Sequence, residues 1–596
     1  MDEIKTSTYI DLRGLAWFRM AFGAIIFYML LVRLPDLRTF YTDWGTLPRD
    51  ILITKNSNPW TWSLYLISGN IFVVGIIYAL HFLVNLLFFL GVQTRKMTIL
   101  NWVLIVSLIQ RNPMVLNGGD DILRLLLFIS IFLPLGAKYS VDSFLLNKED
   151  RPTENVHSNL GTFVFIMQIL CVYIFTGIIK NHPVYNVDGT AIWYTLQLDR
   201  FVTPFGKWLG TLPPAATYFP TLAVYYMEFI LPWFFLIPWK NTWLRYFVVG
   251  TFAFFHLGLS TTMYLDYFPY VCVAAWLTLL PSHFWDFLEA KVKKYSEKPI
   301  TIYYDKECGF CTKITRIIQE MLFLPSNAAV AVPGAGVPAN LMMENHSWVI
   351  KSGDKYFTKY AGFHENLKQS PLDKLVIPTL ISKLILKIGL GDFLYKLVSM
   401  KRSTWSYFSS KISGKKASLK HNIPTKIFLI MVLSTVIYTN IMVIPDEDKR
   451  QPMPYPIWSF RNVFTLYQRW DLFSPYPSRD DGWLTIEGNL FNGNVIDIWN
   501  NGAPISDEKP VDMYDGNVKG TLWNKYILYL WGKKNYEQRL YLGRYICRMW
   551  NDGHPKPEEK VSTFKIYYFL ERTPEPNSGT VEPVKKLEFW SHNCWK

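Results

Sequence analysis

Residues 160–180 read LGTFVFIMQILCVYIFTGIIK, an uncharged and mostly apolar run that ends at Lys180. A run of about 20 such residues crosses the hydrocarbon core of a bilayer as a single helix. Similar apolar runs recur through the first half of the chain, and one more lies near residue 430. The sequence therefore predicts a polytopic α-helical membrane protein with about nine spans, at 14–34, 70–92, 97–115, 121–136, 160–180, 217–239, 246–265, 268–285 and 426–445.

Composition and charge agree with a membrane class. The chain of 596 residues is 50% hydrophobic and 17% aromatic, which exceeds the usage of typical soluble proteins. Its net charge of +14 comes largely from lysines and arginines beside the apolar runs. Cytoplasmic loops carry such an excess, so we expect an integral inner (plasma) membrane protein with its N-terminus inside. The bilayer is the expected partner, and no nucleic-acid-binding pattern accompanies the charge.

A polar stretch separates the eighth and ninth runs and falls on the inside. Residues 299–322 read PITIYYDKECGFCTKITRIIQEML, where β-rich residues give way to a helical period after Cys308 and Cys311. A thiol at a helix N-terminus gains thiolate character, so Cys308 would attack and Cys311 would resolve. Half of a zinc site is the alternative, but no second Cys or His pair stands at ligand spacing, and no metal is expected.

Further along the insert, residues 378–400 read PTLISKLILKIGLGDFLYKLVSM, an apolar helical stripe with basic residues. Such a segment either lies on the membrane surface or forms a buried helix of the insert.

The C-terminal region is predicted to be a β-rich α+β domain. Residues 483–502, WLTIEGNLFNGNVIDIWNNG, alternate around Asn492-Gly493, which is a hairpin signal. Two later strands are expected at 562–572 and 584–593, with a helix near 537–550. Because the last span runs outward, this domain is expected outside, where Cys547 and Cys594 could form a disulfide.

Ionisable residues within or beside the apolar runs suggest a cavity in the membrane region. Lys180 ends one span and could become a base if it is buried, although a lysine that snorkels to the interface is the common alternative. His256 lies inside another span, as either a proton carrier or a helix-packing residue. Asp121 and Arg124 lie in the weakest apolar run, where their charges suggest a lined cavity.

The dithiol segment resembles a known family. TIYYDKECGFC is similar to the Asp-x-x-Cys-x-x-Cys start of the DCC-type thiol-disulfide oxidoreductases, with Asp305, Cys308 and Cys311 at the motif positions. The resemblance covers about 299–405 and implies a thioredoxin-like α/β fold for the insert.

A second resemblance covers residues 8–286. The segments LAWFRMAFGAII, NGGDDILRLLLFISIFLPLGAKYSVD, the stretch around Lys180, and YYMEFILPW with FFHLGLS together resemble the horizontally transferred transmembrane family. That family is related to the vitamin K-dependent gamma-glutamyl carboxylase. The segment QRWDLFSPYP and the β-rich tail are similar to the soluble part that follows the membrane domain in such proteins.

The second resemblance implies specific roles. In the carboxylase, a lysine at the place of Lys180 deprotonates the reduced quinone, so a quinone is the candidate cofactor. Where the carboxylase has a histidine, this chain reads NGGDD, with Asp120 or Asp121 near that position. This departure argues against glutamate carboxylation itself.

Together these patterns predict a membrane domain at 1–286, the cytoplasmic insert at 299–405, a final span at 424–445 and an extracytoplasmic domain at 446–596. Three functions remain open. The first is a carboxylase-like membrane enzyme that modifies or matures a secreted or membrane-bound peptide, with Lys180, His256, Asp121 and Arg124 around its site. The second is a membrane-anchored thiol-disulfide oxidoreductase. The third is a non-catalytic anchoring or chaperone subunit of an envelope complex. All three functions require a protein or peptide partner. For the carboxylase-like enzyme and for the anchoring subunit, this partner is expected on the outer side of the membrane.

Overall fold

The computed structural model describes residues 7–55, 58–295, 300–325, 327–332, 336–400, 407, 413–444, 449–517, 519–576, 578 and 582–595. The predicted boundaries at 299, 405 and 446 lie outside these described residues. Helices dominate the described chain, and two four-stranded sheets stand in its second half.

The first 295 residues fold into helices bounded by local capping residues. The fourth helix, for example, begins after Asn70, whose side chain accepts the N–H of Phe72, and ends at Gly91 with φ of 72°. In chain order the helices are α1 (Leu12–Arg33), α2 (Leu37–Tyr41), α3 (Arg49–Lys55), α4 (Ile71–Leu90), α5 (Thr94–Arg111), α6 (Gly118–Ser130), α7 (Val141–Phe144), α8 (Leu160–Ile179), α9 (Pro183–Asn186), α10 (Ala191–Thr195), α11 (Pro204–Gly210), α12 (Tyr218–Leu236), α13 (Asn241–Thr262), α14 (Phe268–Thr278) and α15 (Ser282–Tyr295).

Among the described residues, five helices are long and apolar enough to cross a membrane. They are α1, α4, α8, α12 with the turn before it, and α21 (Ile423–Ile441) near the C-terminal domain. The pair α14 and α15 forms a sixth candidate that bends by 94°. This result supports a multi-pass membrane protein and reduces the predicted nine spans to five or six that meet the requirement of length and composition.

The other three predicted spans form helices that fall short for different reasons. Helix α6 has only 13 residues. Helix α5 begins with Arg95 and Lys96 and ends with Arg111, while α13 contains Arg245 and His256, so their mean hydropathy is low. All three nevertheless pack in the same bundle as the apolar helices.

Buried polar contacts fasten the two ends of α1 to its neighbours. At its start, Arg13 binds Asp11 at 2.8 Å and Asp286 at 2.7 Å. At its end, Arg33 binds Asp120 at 2.8 Å, and the hydroxyl of Tyr267 donates to the same carboxylate at 2.5 Å. Both arginines are buried, and each is paired with a buried carboxylate, as low-dielectric surroundings require.

The insert contains a four-stranded sheet with strand order β4-β3-β5-β6. Strand β3 (Ile300–Tyr304) pairs in parallel with β4 (Ala329–Ala331) and antiparallel with β5 (Val349–Ser352), which pairs with β6 (Lys355–Thr358). The small antiparallel pair β1 (Ile10–Asp11) and β2 (Val156–His157) lies in the membrane domain. The insert helices are α16 (Gly309–Met321), α17 (Val337–Asn345), α18 (Lys359–Gln369), α19 (Ile377–Lys387) and α20 (Leu390–Met400).

The apolar stripe of 378–400 is not buried in the insert. Leu380, Leu384 and Phe393 are 58%, 59% and 58% exposed, respectively. The buried-helix alternative for this segment is therefore wrong, and the exposed stripe fits the membrane-surface alternative.

The C-terminal domain follows α21 and confirms the strands that the sequence predicts. Its sheet has the order β10-β9-β7-β8, all antiparallel, and the turn between β7 and β8 contains Asn492 and Gly493, with φ of 84° at the glycine. Its elements are α22 (Tyr455–Val463), β7 (Asp480–Leu490), β8 (Val495–Asp497), α23 (Thr521–Trp531), α24 (Arg539–Gly553), β9 (Val561–Arg572) and β10 (Lys585–Asn593). The domain packs directly on the helical bundle, with Tyr526 and Trp523 against Phe40.

Candidate functional site

A cavity of about 1010 Å³ lies between the helical bundle and the C-terminal domain. Its walls come from α8, α12 and α13, from the chain between Lys180 and Leu209, and from residues 469–473 of the segment QRWDLFSPYP. Three of the predicted site residues line it: Lys180, His256 and Asp121. Residues that are far apart in the sequence thus meet at one place, as the sequence predicts for Lys180 and His256.

Lys180 caps the C-terminal end of α8 and forms a buried ion pair. Its Nζ lies 2.6 Å from Oε2 of Glu228 on α12, and the two residues are 6% and 4% exposed. The ring of Tyr185 lies 5.4 Å from the same ammonium group. Lys180 is therefore buried and paired within the protein, whereas a snorkelling lysine would extend into solvent.

Glu228 is the residue that sequence reasoning missed. Its signal is a carboxylate inside the apolar run YYMEFILPW, where an acid is costly unless it has a partner. Since 48 residues separate Glu228 from Lys180, their pairing becomes visible only when α8 and α12 pack together.

His256 lies in an aromatic part of the wall. Its Nε2 is hydrogen bonded to the hydroxyl of Tyr173 at 2.7 Å, and the rings of Phe255 and Phe268 lie 5.0 and 5.7 Å from the imidazole. The Nδ1 atom is buried without a hydrogen-bond partner in the described part of the chain. The imidazole is therefore held in place by Tyr173 and by the surrounding aromatic rings.

Arg124 differs from its predicted position, since it does not line the cavity. Its guanidinium binds Asp121 at 2.7 Å, donates to the carbonyl of Tyr467 and lies 3.9 Å from the centre of the Tyr467 ring. We therefore correct its role to holding Asp121 and the segment before residue 469 in place. Of the two candidate acids, Asp121 lines the cavity and Asp120 is occupied by Arg33.

The C-terminal domain contributes Lys525 to the cavity wall. Burial lowers the pKa of Lys525 below its ordinary value of 10.5, an effect that nearby Asp120 partly opposes. The hydroxyl of Tyr185 donates to the carbonyl of Phe473 at 2.8 Å and so ties the loop after Lys180 to this domain. The cavity is complete only with the C-terminal domain in place.

The dithiol forms a separate site in the insert. Cys308 precedes the first residue of α16, its Sγ accepts the N–H of Cys311 at 3.2 Å, and the two sulfur atoms are paired as a disulfide. Asp305 accepts the N–H groups of Glu307 and Cys308 at 2.9 and 3.3 Å. Asp305 therefore shapes the turn that presents the dithiol, and both cysteines are half-buried.

The C-terminal domain contains a second disulfide. Cys547 on α24 and Cys594 after β10 form a disulfide, with Cα atoms 5.5 Å apart. Within the described ranges, no group of three or more His, Cys, Asp or Glu residues is arranged to hold a metal ion.

Fold and cavity together define a class: a helical protein with several helices apolar enough to span a membrane, two four-stranded sheets and a cavity of about 1010 Å³ with a buried ion pair in its wall. No protein-family profile, curated protein sequence or solved structure matches the chain.

Proposed function

We propose that this protein is a membrane enzyme of the carboxylase-like superfamily that modifies or matures a secreted or membrane-bound peptide. The observation that carries the proposal is the buried Lys180–Glu228 pair in the wall of an apolar cavity of about 1010 Å³. Buried pairs of titratable groups in the wall of a cavity are typical of catalytic sites. The resemblance of residues 8–286 to the horizontally transferred transmembrane family supports the same class.

The pair provides a route for moving a proton. Across the 2.6 Å hydrogen bond, transfer of a proton from the Lys180 ammonium to Glu228 leaves a neutral amine beside a neutral carboxylic acid. The free amine can then accept a proton from a substrate, and Glu228 can return its own proton to the amine or to product.

The cavity also fits a lipophilic ring compound such as a quinone. Tyr173 and Phe268 provide flat apolar walls for the ring. When bound, a quinone supplies two-electron redox chemistry; the residues of this chain hold the ring and accept or deliver its protons.

We also propose the predicted orientation, with the N-terminus and insert inside and the C-terminal domain outside. Helices α5, α6 and α13 and the bent pair α14 and α15 would cross with the five apolar helices, which gives nine crossings, because α5 packs on α4 and α6, and α13 packs on α12 and α14. Lys180 then lies at the outer end of α8, where a secreted peptide can reach the cavity.

Comparative mass spectrometry tests the proposal. Secreted and membrane-bound peptides from cells that express the wild type are compared with those from cells that express Lys180→Met, Glu228→Gln or the control Lys207→Met. Lys207 lies on α11 with an exposed side chain, so its loss should leave the products unchanged. We expect a mass difference that needs both Lys180 and Glu228. An identical peptide profile in all four strains would remove the basis for an enzyme at this cavity.

A second candidate function, thiol-disulfide exchange, rests on the insert. A dithiol that opens a helix after a central strand, in a sheet of order β4-β3-β5-β6, favours a thioredoxin-like oxidoreductase. In the Cys311→Ser variant, the Cys308 thiolate would attack a partner disulfide and release one partner thiolate, and the mixed disulfide would persist without its resolving thiol. Cys308→Ser is the matched control. Equal capture by both variants would contradict the exchange activity.

A further inference from the structure

A second cavity, of about 500 Å³, opens where α4 ends and where α5 and α21 begin. We name it the basic cavity. Its floor is the turn after α6, residues 131–136, and its rim includes the segment 415–422 that leads into α21. Five basic side chains line it, and within the described ranges none of them has a carboxylate partner: Arg95, Lys96, Lys415, Lys416 and Lys420.

The acid in the basic cavity does not neutralise these side chains. The carboxylate of Asp142 accepts the backbone N–H groups of Gln93 and Thr94 at 2.9 and 2.7 Å and the hydroxyl of Thr94 at 2.7 Å. In the same wall, Nε2 of His421 contacts the carbonyl of Phe132 at 2.8 Å, while its buried Nδ1 has no partner in the described chain. The cavity thus holds uncompensated positive charge and an unused polar nitrogen.

Apolar surface continues directly from the basic cavity toward the middle of the bundle. Ile99, one turn beyond Arg95 on α5, is 39% exposed, and Ile427 and Met431 on α21 are 55% and 46% exposed. A phospholipid in one leaflet has a charged headgroup and apolar acyl chains. The basic cavity at the end of the helices matches the headgroup, and the exposed apolar side chains beyond it match the acyl chains.

We propose that the basic cavity binds the phosphate headgroup of an anionic membrane phospholipid, whose acyl chains lie along Ile99 and Ile427. By the predicted orientation this end of the bundle faces the cytoplasm, where basic residues and anionic lipids meet. The bound lipid would tie the segment leading into α21 to the end of α5. This site is independent of the Lys180 cavity.

Native mass spectrometry of the full-length protein tests the proposal. The protein is purified in detergent with equal amounts of phosphatidylglycerol and phosphatidylcholine. The lipid that stays bound is then identified and quantified from its mass. Each basic side chain near an anionic lipid surface contributes roughly fivefold to binding, so Lys415→Gln/Lys416→Gln/Lys420→Gln should weaken phosphatidylglycerol retention on the order of 100-fold. The control, Lys291→Gln/Lys293→Gln/Lys294→Gln, makes the same charge change at exposed positions of α15 outside the cavity.

Three results would overturn the lipid site. Equal loss in both triple variants would mean general charge attraction, and undiminished retention in the cavity variant would mean that the lipid binds elsewhere. Displacement of phosphatidylglycerol by inorganic phosphate at comparable concentration would assign the cavity to free phosphate, since acyl chains would then add nothing. The unfolding temperature of each variant, measured in detergent, shows that the protein is still folded.

Discussion

Replacing the two members of the Lys180–Glu228 pair, singly and together, separates a structural pair from a catalytic one. With their charges 2.6 Å apart, the two groups attract by about 6 kcal/mol at an effective dielectric constant of about 20. Desolvation costs several kcal/mol for each ion, so the intact pair contributes little net stability. A single loss is different, because the remaining charge stays buried without its partner.

We therefore expect Lys180→Met and Glu228→Leu each to lower the free energy of unfolding by about 3–5 kcal/mol. The double variant, which leaves two apolar side chains in contact, should regain most of that loss and lie within about 1–2 kcal/mol of the wild type. Its peptide-modifying activity should remain absent, because no base is left. Stability is measured by denaturant titration in detergent, and activity by the peptide mass difference.

The pair of Lys207 and Asp199, 3.4 Å apart, provides the matched control, because the Lys207 side chain is 64% exposed and Asp199 keeps Lys509 as a second partner at 2.6 Å. Loss of such a surface pair costs at most about 1 kcal/mol, so Lys207→Met should unfold like the wild type. The reasoning would be refuted if the effects of the two single changes simply add in the double variant. It would equally be refuted if the stabilised double variant were fully active.

Two further predictions concern the C-terminal domain. Cys547→Ser or Cys594→Ser opens a loop of 47 residues and should lower the free energy of unfolding by roughly 2–4 kcal/mol, with no further loss on adding reductant. Because burial lowers the pKa of Lys525, the unfolded chain binds an extra proton between that lowered pKa and 10.5, so stability should rise with pH across this window. Lys525→Met should remove that part of the rise in a series of denaturant titrations, and an unchanged pH profile would contradict the assignment.

The local elements were predictable because their signals are local. Apolar runs give the helices, and the alternation around Asn492-Gly493 gives the hairpin. Composition alone does not decide whether α13 crosses the bilayer, since this helix contains Arg245. Its guanidinium binds the backbone carbonyls of Ser7 and Tyr9, at the far end of the sequence, at 2.8 and 3.0 Å. A count of apolar residues cannot include such partners.

In the candidate site as well, some residues are recognisable from local sequence and others only from the packing of the helices. Lys180 stands out in the sequence because a charge ends a long apolar run. Its partner Glu228 and the Tyr173 contact of His256 arise only from helix packing, across 48 and 83 residues. The closing of the cavity by residues 469–473 depends on contacts between domains, such as the buried pair Gln168 and Gln468 at 2.9 Å. Sequence therefore identified Lys180 and His256, one member of each of the first two pairs, and neither glutamine of the third.

The dithiol of the insert cannot react directly with a substrate in the Lys180 cavity, because the insert is held at the other end of α8. Arg151 binds Glu320 of α16 at 2.8 Å, and Tyr139 packs on Phe323 with ring centres 5.5 Å apart. These contacts hold the insert to the loop before α8, whereas Lys180 caps the end of that helix. A helix of 20 residues is about 30 Å long, so that length of membrane helix lies between them. Loss of Cys308 should therefore leave the Lys180-dependent peptide modification unchanged, and a parallel loss would require a carrier between the two sites.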